Sequence, residues 1–286
     1  MLEFLQNILN GLIIGGTYAM MGIGLTLIFG VMNVVNFSHG DFYMLGAFFL
    51  YTTFGLLHFG YIPSITLSLL AMGIFAILVE RVLLRRMRDK PLDNGMILTI
   101  GLSILLQNVA LLVWGGTPKN ISLGLSVKSI SVGPLVVTPV RLIIAVIAIV
   151  IILLFGLFLQ KTKLGTAIRA TFQDRDMAAA VGININHIYA LTFVVGSLMA
   201  ALAGMLLAPI YVVLPTMGNL VNAKAFAVAI AGGLGNFPGA VIAGLLLGVA
   251  ESLGAAYISS GYKDAIGFIL IVIVLVAKPK WLTGSN

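Results

Sequence analysis

The stretch NVVNFSHGDFYMLGAFF, residues 33–49, decides the fold because it sets a group of polar side chains between two long apolar runs. Ser38 and Asp41 have the Ser-x-x-Asp spacing that is typical of the N-terminal cap of a helix. The pattern therefore predicts a break in a helical chain, followed by a new helix that begins near His39.

Composition indicates the surroundings of this break. Hydrophobic residues make up 60% of the 286-residue chain, and charged residues make up only 9%. A run of about 20 apolar residues is long enough to cross a bilayer as a helix, and the chain holds several such runs. We therefore predict an all-α integral membrane protein, a polytopic helical bundle that forms a single domain over residues 1–286.

Several classes of function are excluded by composition. The chain has no cysteine, so it cannot form a disulfide, a thiolate metal site or a cysteine nucleophile. Its formal charge of +7 would suggest nucleic acid binding in a soluble protein, but in a membrane protein the basic residues need only mark one side of the bilayer. We expect no nucleic acid partner, no catalytic residue and no metal site.

The distribution of basic residues predicts the orientation. Five of the sixteen Lys and Arg lie in residues 81–93, four lie in residues 161–175, and the last two are Lys278 and Lys280. Cytoplasmic segments carry an excess of Lys and Arg, so we expect these three segments in the cytoplasm and the N-terminus outside. Spans are then predicted at residues 8–31, 41–58, 61–81, 95–114, 139–160 and 187–211, in a compound region at 223–257, and at 263–278. A break within the compound region gives about eight spans plus a re-entrant or short broken helix.

A second break is predicted at GGLGNFPG, residues 232–239, where Pro238 suits the first turn of a new helix. One interrupted segment in each half of the chain is a pattern that points to a transport pathway. Two ordinary loops at the membrane surface would give the same pattern. Under the first interpretation, the path is lined by residues of both breaks: Asn36, Ser38, His39, Gly40, Asp41, Gly235, Asn236, Pro238 and Gly239.

Few ionisable residues are expected at membrane depth, and they are Asp41, Lys224 and Glu251. Polar groups in membrane helices usually find a partner within the bundle. For Asp41 and Glu251 we therefore favour a hydrogen bond inside the bundle, with contact to a substrate amine as the alternative. Likewise, we expect His39 to be a satisfied polar residue rather than a proton relay or ligand.

Small residues recur at every fourth position in three places. Such stripes let helix backbones approach closely in lipid, so they predict tight helix pairs. The stripes are Gly11, Gly15 and Ala19; Gly196, Ala200, Gly204 and Ala208; and Ala240, Gly244, Gly248 and Ser252.

The longest predicted cytoplasmic segment is residues 161–186. It contains Arg169, and then Asp176, Ala178, Ala179 and Gly182 place an acid, two small residues and a glycine on a short helix, which we predict over residues 169–185. Small residues let a helix lie in the groove of a partner, and glycine ends a helix. A solvated loop with one helical turn would share this pattern.

Three blocks of the sequence resemble the branched-chain amino acid permease family of ATP-binding-cassette importers. In addition, Asp176, Met177 and Ala178 with Gly182 resemble the Glu-Ala-Ala-x-x-x-Gly loop through which such membrane subunits dock on their ATPases, although Asp replaces Glu and Met replaces the first Ala. The blocks are GVMNVVNFSHGDFYMLGAF at residues 30–48, GTAIRATFQDRDMAAAVGININHIYALTFVVGSLMAALAGML at 165–206, and AIAGGLGNFPGAVIAGLLLGVAESL at 229–253.

This resemblance implies a set of partners. They are two ATPase subunits that bind ATP and magnesium, a second homologous permease subunit in a homodimer or heterodimer, and an extracytoplasmic amino-acid-binding protein, assembled at the bacterial inner membrane. The chain itself is expected to bind no cofactor, because none of its nine lysines follows a glycine, as a phosphate-binding Gly-x-x-x-x-Gly-Lys loop requires.

Two questions stay open at the level of sequence. An apolar path suits branched-chain amino acids, but it suits urea or short amides equally well. A secondary carrier that uses Asp41 or Glu251 as a proton or cation site is the alternative to an ATP-driven importer.

Overall fold

The computed structural model describes residues 1–87, 90–123, 130–132 and 135–277. Lys278 and Lys280, on which the predicted orientation partly rests, lie outside these residues. The described residues form the helices α1 (Leu2–Met32), α2 (His39–Leu50), α3 (Tyr61–Val82), α4 (Leu92–Trp114), α5 (Pro139–Lys161), α6 (Lys163–Gln173), α7 (Arg175–Ala180), α8 (Ile185–Leu207), α9 (Met217–Gly232), α10 (Phe237–Tyr257) and α11 (Lys263–Ala277), and the antiparallel strands β1 (Ile130–Val132) and β2 (Leu135–Val137).

The prediction of a polytopic, all-α membrane protein is confirmed. By length and apolar composition, six helical segments of the described chain can cross a membrane, and they are Leu2–Met32, Tyr61–Met87, Leu92–Trp114, Pro139–Lys161, Ile185–Leu207 and Phe237–Tyr257. Helix α2 continues into a π-helical segment, Tyr51–Leu56, whereas α9 and α11 are shorter. The predicted number of about eight spans is therefore approximate.

Several predicted boundaries are wrong. The first helix begins at Leu2 rather than at residue 8. The span predicted to end at residue 211 ends at Leu207, and the compound region begins at Met217 rather than at 223. The single helix predicted over residues 169–185 is instead two helices, α6 and α7. Asp174 separates them because its backbone is extended (φ −155°, ψ 109°) and its side chain caps α7.

Helices α1 and α8 form the centre of the bundle. In the most apolar 18-residue stretch of each helix, 78% of the residues of α1 and 67% of those of α8 are buried, compared with 22–28% for α3, α4 and α5. The outer helices consequently expose apolar side chains such as Ile74, Leu112 and Leu153. Such surfaces suit contact with lipid or with other membrane chains.

The small-residue stripes account for the tightest helix pairs. On α1 and α10, a Cβ placed on Gly15 would lie 2.9 Å from the carbonyl oxygen of Gly244, and one placed on Gly244 would lie 2.5 Å from Cα of Ala19. On α8 and α1, a Cβ on Gly196 would lie 2.8 Å from the carbonyl oxygen of Gly24. Any larger side chain would force these backbones apart, which is the reason for the periodicity seen in the sequence.

The bundle has two distinct ends. We call the end that carries α6, α7 and the short 3-10 helix Leu84–Met87 the loop end. The opposite end, the far end, carries the β1–β2 hairpin, whose Val136 exchanges two hydrogen bonds with the Gln6 side chain (2.8 and 2.9 Å). There, the backbones of Lys119 and Val213 also pair at 3.0 and 2.9 Å.

Candidate translocation path and coupling surface

The first break follows α1 directly. Helix α1 ends at Met32 because Asn33 adopts a left-handed backbone (φ 53°), and its N–H donates to the carbonyl of Phe29 at 2.8 Å. Helix α2 then begins at His39, as predicted. The predicted cap is wrong, however, because the Ser38 hydroxyl donates to Asn36 Oδ1 at 2.7 Å and makes no capping bond to α2.

This break lies inside the bundle. Asn36, Ser38 and His39 are fully buried, and Asp41 is 2% exposed. A buried unwound backbone needs partners for its polar groups, and Thr99 on α4 supplies two. Its hydroxyl accepts a hydrogen bond from the N–H of Phe37 at 3.2 Å and donates to the carbonyl of Val35 at 3.0 Å.

Helix α9 holds the break from another side. The Asn222 side chain donates to the carbonyl of Phe37 at 2.7 Å and accepts from the N–H of Gly40 at 3.1 Å. Gly40 and Gly218 approach so closely that a Cβ on either would overlap the carbonyl group of the other. Sequence reasoning missed Asn222 and Gly218, although both are small or polar interruptions of an apolar helix.

His39 lies between α1 and α8. Its Nε2 is 3.1 Å from the carbonyl oxygen of Met21, and a Cβ on Gly24 would lie 3.0 Å from its Cε1. A carbonyl can only accept, so we assign the proton to Nε2. Nδ1 is then an acceptor, and it has no hydrogen-bond partner among the described residues. His39 is therefore satisfied at one of its two nitrogens.

The second break differs in surroundings. Gly233 and Gly235 have positive φ angles of 88° and 84°, and the Asn236 side chain caps α10 by accepting from the N–H of Gly239 at 3.1 Å. Pro238 lies in the first turn of α10, as predicted, and is exposed. This break is consequently less buried than the first.

The two breaks lie at different depths along α1. Gly24 is beside His39, whereas Gly30 is beside Gly235, with a Cβ on Gly30 falling 3.0 Å from Cα of Gly235. Six residues of helix correspond to an axial rise of about 9 Å. The candidate path residues predicted from the sequence thus form two sites, one around residues 36–41 and one around residues 235–239.

The segment between α5 and α8 is built from two capped helices. The Thr162 hydroxyl accepts from the N–H of Gly165 at 2.9 Å and caps α6, and Asp174 accepts from the N–H groups of Asp176 and Met177, both at 2.9 Å, and caps α7. Gly182 follows with φ 90°. A Cβ on Gly182 would meet nothing within 4 Å, so its positive φ, rather than close packing within this chain, favours glycine at this position.

The exposed face of α7 differs from the one predicted. Ala178 is 3% exposed and packs inside this chain, whereas Asp176 and Ala179 are exposed. Two apolar side chains, Met177 and Val181, are 67% and 78% exposed. Sequence reasoning missed both as surface residues, because helix periodicity over six residues does not fix which face is outside.

A buried charge cluster joins four helices. Lys224 on α9 is 2% exposed, and its ammonium lies 2.9 Å from Glu251 Oε2, 2.7 Å from Asp264 Oδ1 and 2.9 Å from the Tyr18 hydroxyl. Tyr18 in turn donates to Glu251 Oε2 at 2.9 Å. Glu251 therefore has partners within the bundle, as favoured from the sequence. The same holds for Asp41, which accepts from Gln107 Nε2 at 3.0 Å.

One buried acid was missed by sequence reasoning. Glu80 near the end of α3 is 1% exposed. Its neighbour Arg81 places it in the basic segment that marks the loop end, so the sequence pattern alone suggested an exposed residue.

The chain is similar over nearly its whole length to known proteins. Residues 7–275 match the family model described as "Branched-chain amino acid transport system / permease component". The chain is 36% identical to the high-affinity branched-chain amino acid transport system permease protein BraD of Pseudomonas aeruginosa, over 99% of this chain and 96% of that protein. It is equally similar, at 36% with the same coverage, to the permease protein LivH of Escherichia coli K12.

A solved structure shares the fold. The chain resembles one in the structure described as PsaBC from Streptococcus pneumoniae in complex with Fab, with a TM-score of 0.51 and 14% identity, over 97% of this chain and 93% of the other. At that identity, the likeness concerns the fold alone.

Proposed function

This chain belongs to the family of permease components of branched-chain amino acid transport systems, and from that premise we propose that it is the membrane subunit of an ATP-driven importer of branched-chain amino acids. Its role as a multi-pass membrane transport permease follows from the family and from its apolar helices. ATP hydrolysis, in this proposal, belongs to two partner ATPase subunits that hold ATP and magnesium.

The observation that carries the proposal is the exposed surface of α7. Met177 and Val181 are apolar and largely exposed at the end of the bundle that also carries the basic residues Arg85, Arg86 and Arg175. Exposed apolar side chains rimmed by charged ones mark protein interfaces. We assign α7 and Gly182 to the ATPase contact, with Arg169 and Asp176 at its edge.

The orientation follows from this assignment. The loop end lies in the cytoplasm, and the far end, with the N-terminus, faces the extracytoplasmic binding protein at the bacterial inner membrane. A second permease subunit, identical or homologous, completes the path, because buried side chains fill the centre of this bundle over the described residues.

Candidate path residues are assigned from burial and bonding. The first break places Asn36, Ser38, His39, Gly40 and Asp41 within the bundle. Nδ1 of His39 has no hydrogen-bond partner among the described residues, so it can accept a hydrogen bond. In this proposal, the second break contributes Gly235, Asn236, Pro238 and Gly239 to the loop end of the path. Branched-chain amino acids are the proposed substrates, and urea and short amides are the alternatives that the uptake assay separates.

The test is uptake by the assembled complex in vesicles. With the ATPases and the binding protein present, we expect leucine uptake that requires ATP, and we expect the ATPases to copurify with this chain. Ala179→Trp and Gly182→Val should abolish ATPase binding or uncouple hydrolysis from uptake, since Ala179 is exposed and a Cβ at Gly182 meets nothing within the chain. Both variants should therefore insert, and the backbone strain that Gly182→Val adds at φ 90° is what its control must reproduce.

Gly115→Val is the matched control for Gly182→Val, because Gly115 also has a positive φ, 78°. Gly115 lies at the far end, after α4, and a Cβ there would likewise meet nothing within 4 Å. Normal copurification and coupling in Ala179→Trp and Gly182→Val alike would refute the docking assignment.

An ion-coupled carrier is the second candidate, and the buried cluster of Lys224, Glu251 and Asp264 favours it, because ionisable residues inside membrane helices often mark ion pathways. Vesicles that contain only this chain decide between the two. Leucine uptake driven by a proton or sodium gradient without ATPases would support the carrier and overturn the importer.

A further inference from the structure

The outer surface of the bundle includes a polar patch between α4 and α9. Ser103 and Gln107 of α4 are half-buried there, and on α9 Asn222 is half-buried and Asn219 is exposed. Gln107 Nε2 donates to Asn219 Oδ1 at 2.8 Å and so joins the two helices. We call these four side chains the seam. All four form hydrogen bonds, and none carries a charge.

The seam lies at membrane depth. Ser103 is the central residue of Leu92–Trp114, a helix that is long and apolar enough to cross a bilayer. Gln107 follows one turn later, about 6 Å along the helix axis, which leaves it inside a hydrocarbon layer of about 30 Å. Asn219 is bonded to Gln107 and therefore lies at the same depth.

Lipid cannot satisfy the polar groups of this surface. The side chain of Asn219 is too short to reach the membrane interface as lysine and arginine do, and an unpaired amide in an apolar medium is costly. Elsewhere, the exposed surface of α4 suits lipid, since Leu105 and Leu112 are 57% and 85% exposed. Asn108, also exposed, is satisfied by its own helix through a 2.8 Å hydrogen bond to the carbonyl of Ile104.

The seam also has hydrogen-bonding capacity to spare. Gln107 Nε2 carries two hydrogens, yet three oxygen atoms lie within 3.0 Å of it, and they belong to Asp41, Ser103 and Asn219. Only two of them can accept from it at once. Asn219 Nδ2 lies 3.5 Å from Gln107 Oε1, which is long for a hydrogen bond. Asn219 therefore offers both an acceptor and donors to a molecule outside the bundle.

An aromatic pair lies beside the seam. Phe37 of the first break is held between the two helices, because Thr99 accepts from its N–H and Asn222 donates to its carbonyl. The Phe37 ring is half-buried, and its centre lies 5.2 Å from that of the Phe226 ring, one turn along α9 from Asn222. Neutral amides and aromatic carbon thus lie side by side, and they suit the two ends of an aliphatic amino acid.

We propose that the seam is one wall of the aqueous path of a zwitterionic aliphatic amino acid, and that a second permease subunit closes this path from the other side. Amides can donate to the carboxylate and accept from the ammonium, and because they carry no charge they bind weakly enough to release the substrate. The proposal rests on the proposed function and deepens it, since it places the path on the outer face of the bundle rather than through its filled centre.

The experiment measures how fast single cysteines react with a charged, membrane-impermeant methanethiosulfonate in vesicles that contain the assembled complex. The chain has no cysteine of its own, and the wild-type complex gives the background of its partners. Only a thiolate reacts, and a thiolate forms in water rather than in lipid. Ser103→Cys and Asn219→Cys should therefore react about tenfold or more faster than the control Leu105→Cys.

Leu105 is a matched control because it lies between Ser103 and Gln107 along α4 and is 57% exposed. Two residues after Ser103, it points about 200° around the helix, away from the seam. ATP-driven leucine uptake by each unmodified variant shows that the variant has folded and assembled.

A second measurement connects the seam with the substrate. Saturating leucine should slow the modification of Asn219→Cys severalfold, because the substrate covers the thiol as it passes. Complexes modified at this position should lose most of their uptake, because the attached reagent occupies the path.

Each outcome decides the proposal. Equal rates in Asn219→Cys and Leu105→Cys overturn it, and so does a rapid modification that leucine does not slow and that leaves uptake intact, because water would then reach the seam without the substrate. Normal wild-type uptake combined with a slow reaction of Asn219→Cys leaves the importer standing and refutes the path alone. Absence of wild-type uptake refutes the importer, and the reaction rates with and without leucine still decide for the seam.

Discussion

The ring of Phe172 on α6 occupies the space that a Cβ on Gly235 would need. A Cβ on Gly30 would likewise lie 3.1 Å from that ring, so Phe172 sits at the meeting point of α6, the end of α1 and the second break. A displacement of α6 at the loop end would therefore act on Gly235 through the ring of Phe172.

Replacement of this aromatic ring should interrupt that mechanical contact. In Phe172→Ala we expect ATPase copurification to persist, because α7 is intact, while leucine transported per ATP hydrolysed falls severalfold. The measurement is the ratio of uptake to hydrolysis in vesicles. Phe59→Ala is the control, because Phe59 and Phe172 are both 45% exposed and Phe59 lies outside the contact; an equal fall in that variant would contradict the prediction.

The exposed apolar pair of Met177 on α7 and Val181 at its C-cap should govern affinity for the ATPases. Met177→Ser and Val181→Ser each remove exposed apolar surface, and about 25 cal/mol per Å² of lost burial predicts about tenfold weaker binding for each. Titration of the purified ATPase against the permease in detergent measures this. Ile258→Ser, at a residue that is 71% exposed at the far end, should leave affinity unchanged, and equal weakening there would assign the effect to solubility.

Gly40 and Gly218 lie so close together that a side chain on either residue should destabilise the protein. Gly40→Ala forces the new methyl group into the carbonyl of Gly218, and overpacking of this kind costs about 1–3 kcal/mol. Thermal unfolding in detergent should show a lowered midpoint. Gly101→Ala is the matched helical control, because a Cβ there meets nothing within 4 Å, and it should raise the free energy of unfolding by about 0.5–1 kcal/mol.

Charge at Asp41 should be dispensable. Asp41 accepts a hydrogen bond from Gln107 Nε2 at 3.0 Å, and the carbonyl oxygen of an asparagine side chain can accept the same bond. Asp41→Asn should therefore retain uptake. Asp41→Leu removes this acceptor, although Ser103 Oγ and Asn219 Oδ1 still accept from Gln107 Nε2, and the lost hydrogen bond should lower the free energy of unfolding by about 1 kcal/mol. Loss of uptake in Asp41→Asn, with normal thermal stability, would instead assign the charge to the path.

The family and the broad fold were predictable from the sequence for local reasons. Length and apolarity of each run specify a membrane helix without knowledge of its neighbours. Breaks at residues 33–38 and 233–236 were predictable because polar side chains, glycine and proline act on the backbone close to their own positions. The stripe of Gly15 and its neighbours predicted close packing, since its period is that of the helix.

Partners across the bundle were not predictable in this way. Ser38 was expected to cap α2 but instead donates to Asn36, because a nearby side chain offered a competing acceptor. Ala178 was expected on the docking face and is buried, because the rotation of α7 is set by its packing against α6 and α8. Both the hydrogen-bond partner of Ser38 and the burial of Ala178 depend on which residues the fold brings next to them.

By itself, then, the sequence determined which segments enter the membrane, where the helices break and which family the chain belongs to. Only the tertiary structure decided that Gly40 meets Gly218, that Lys224 joins Glu251 and Asp264, and that Phe172 lies on Gly235. The physical reason is range, because hydropathy and backbone preference act within a few residues. These contacts instead join positions far apart in the chain, and the relative position of their helices is fixed only when the helices pack around α1.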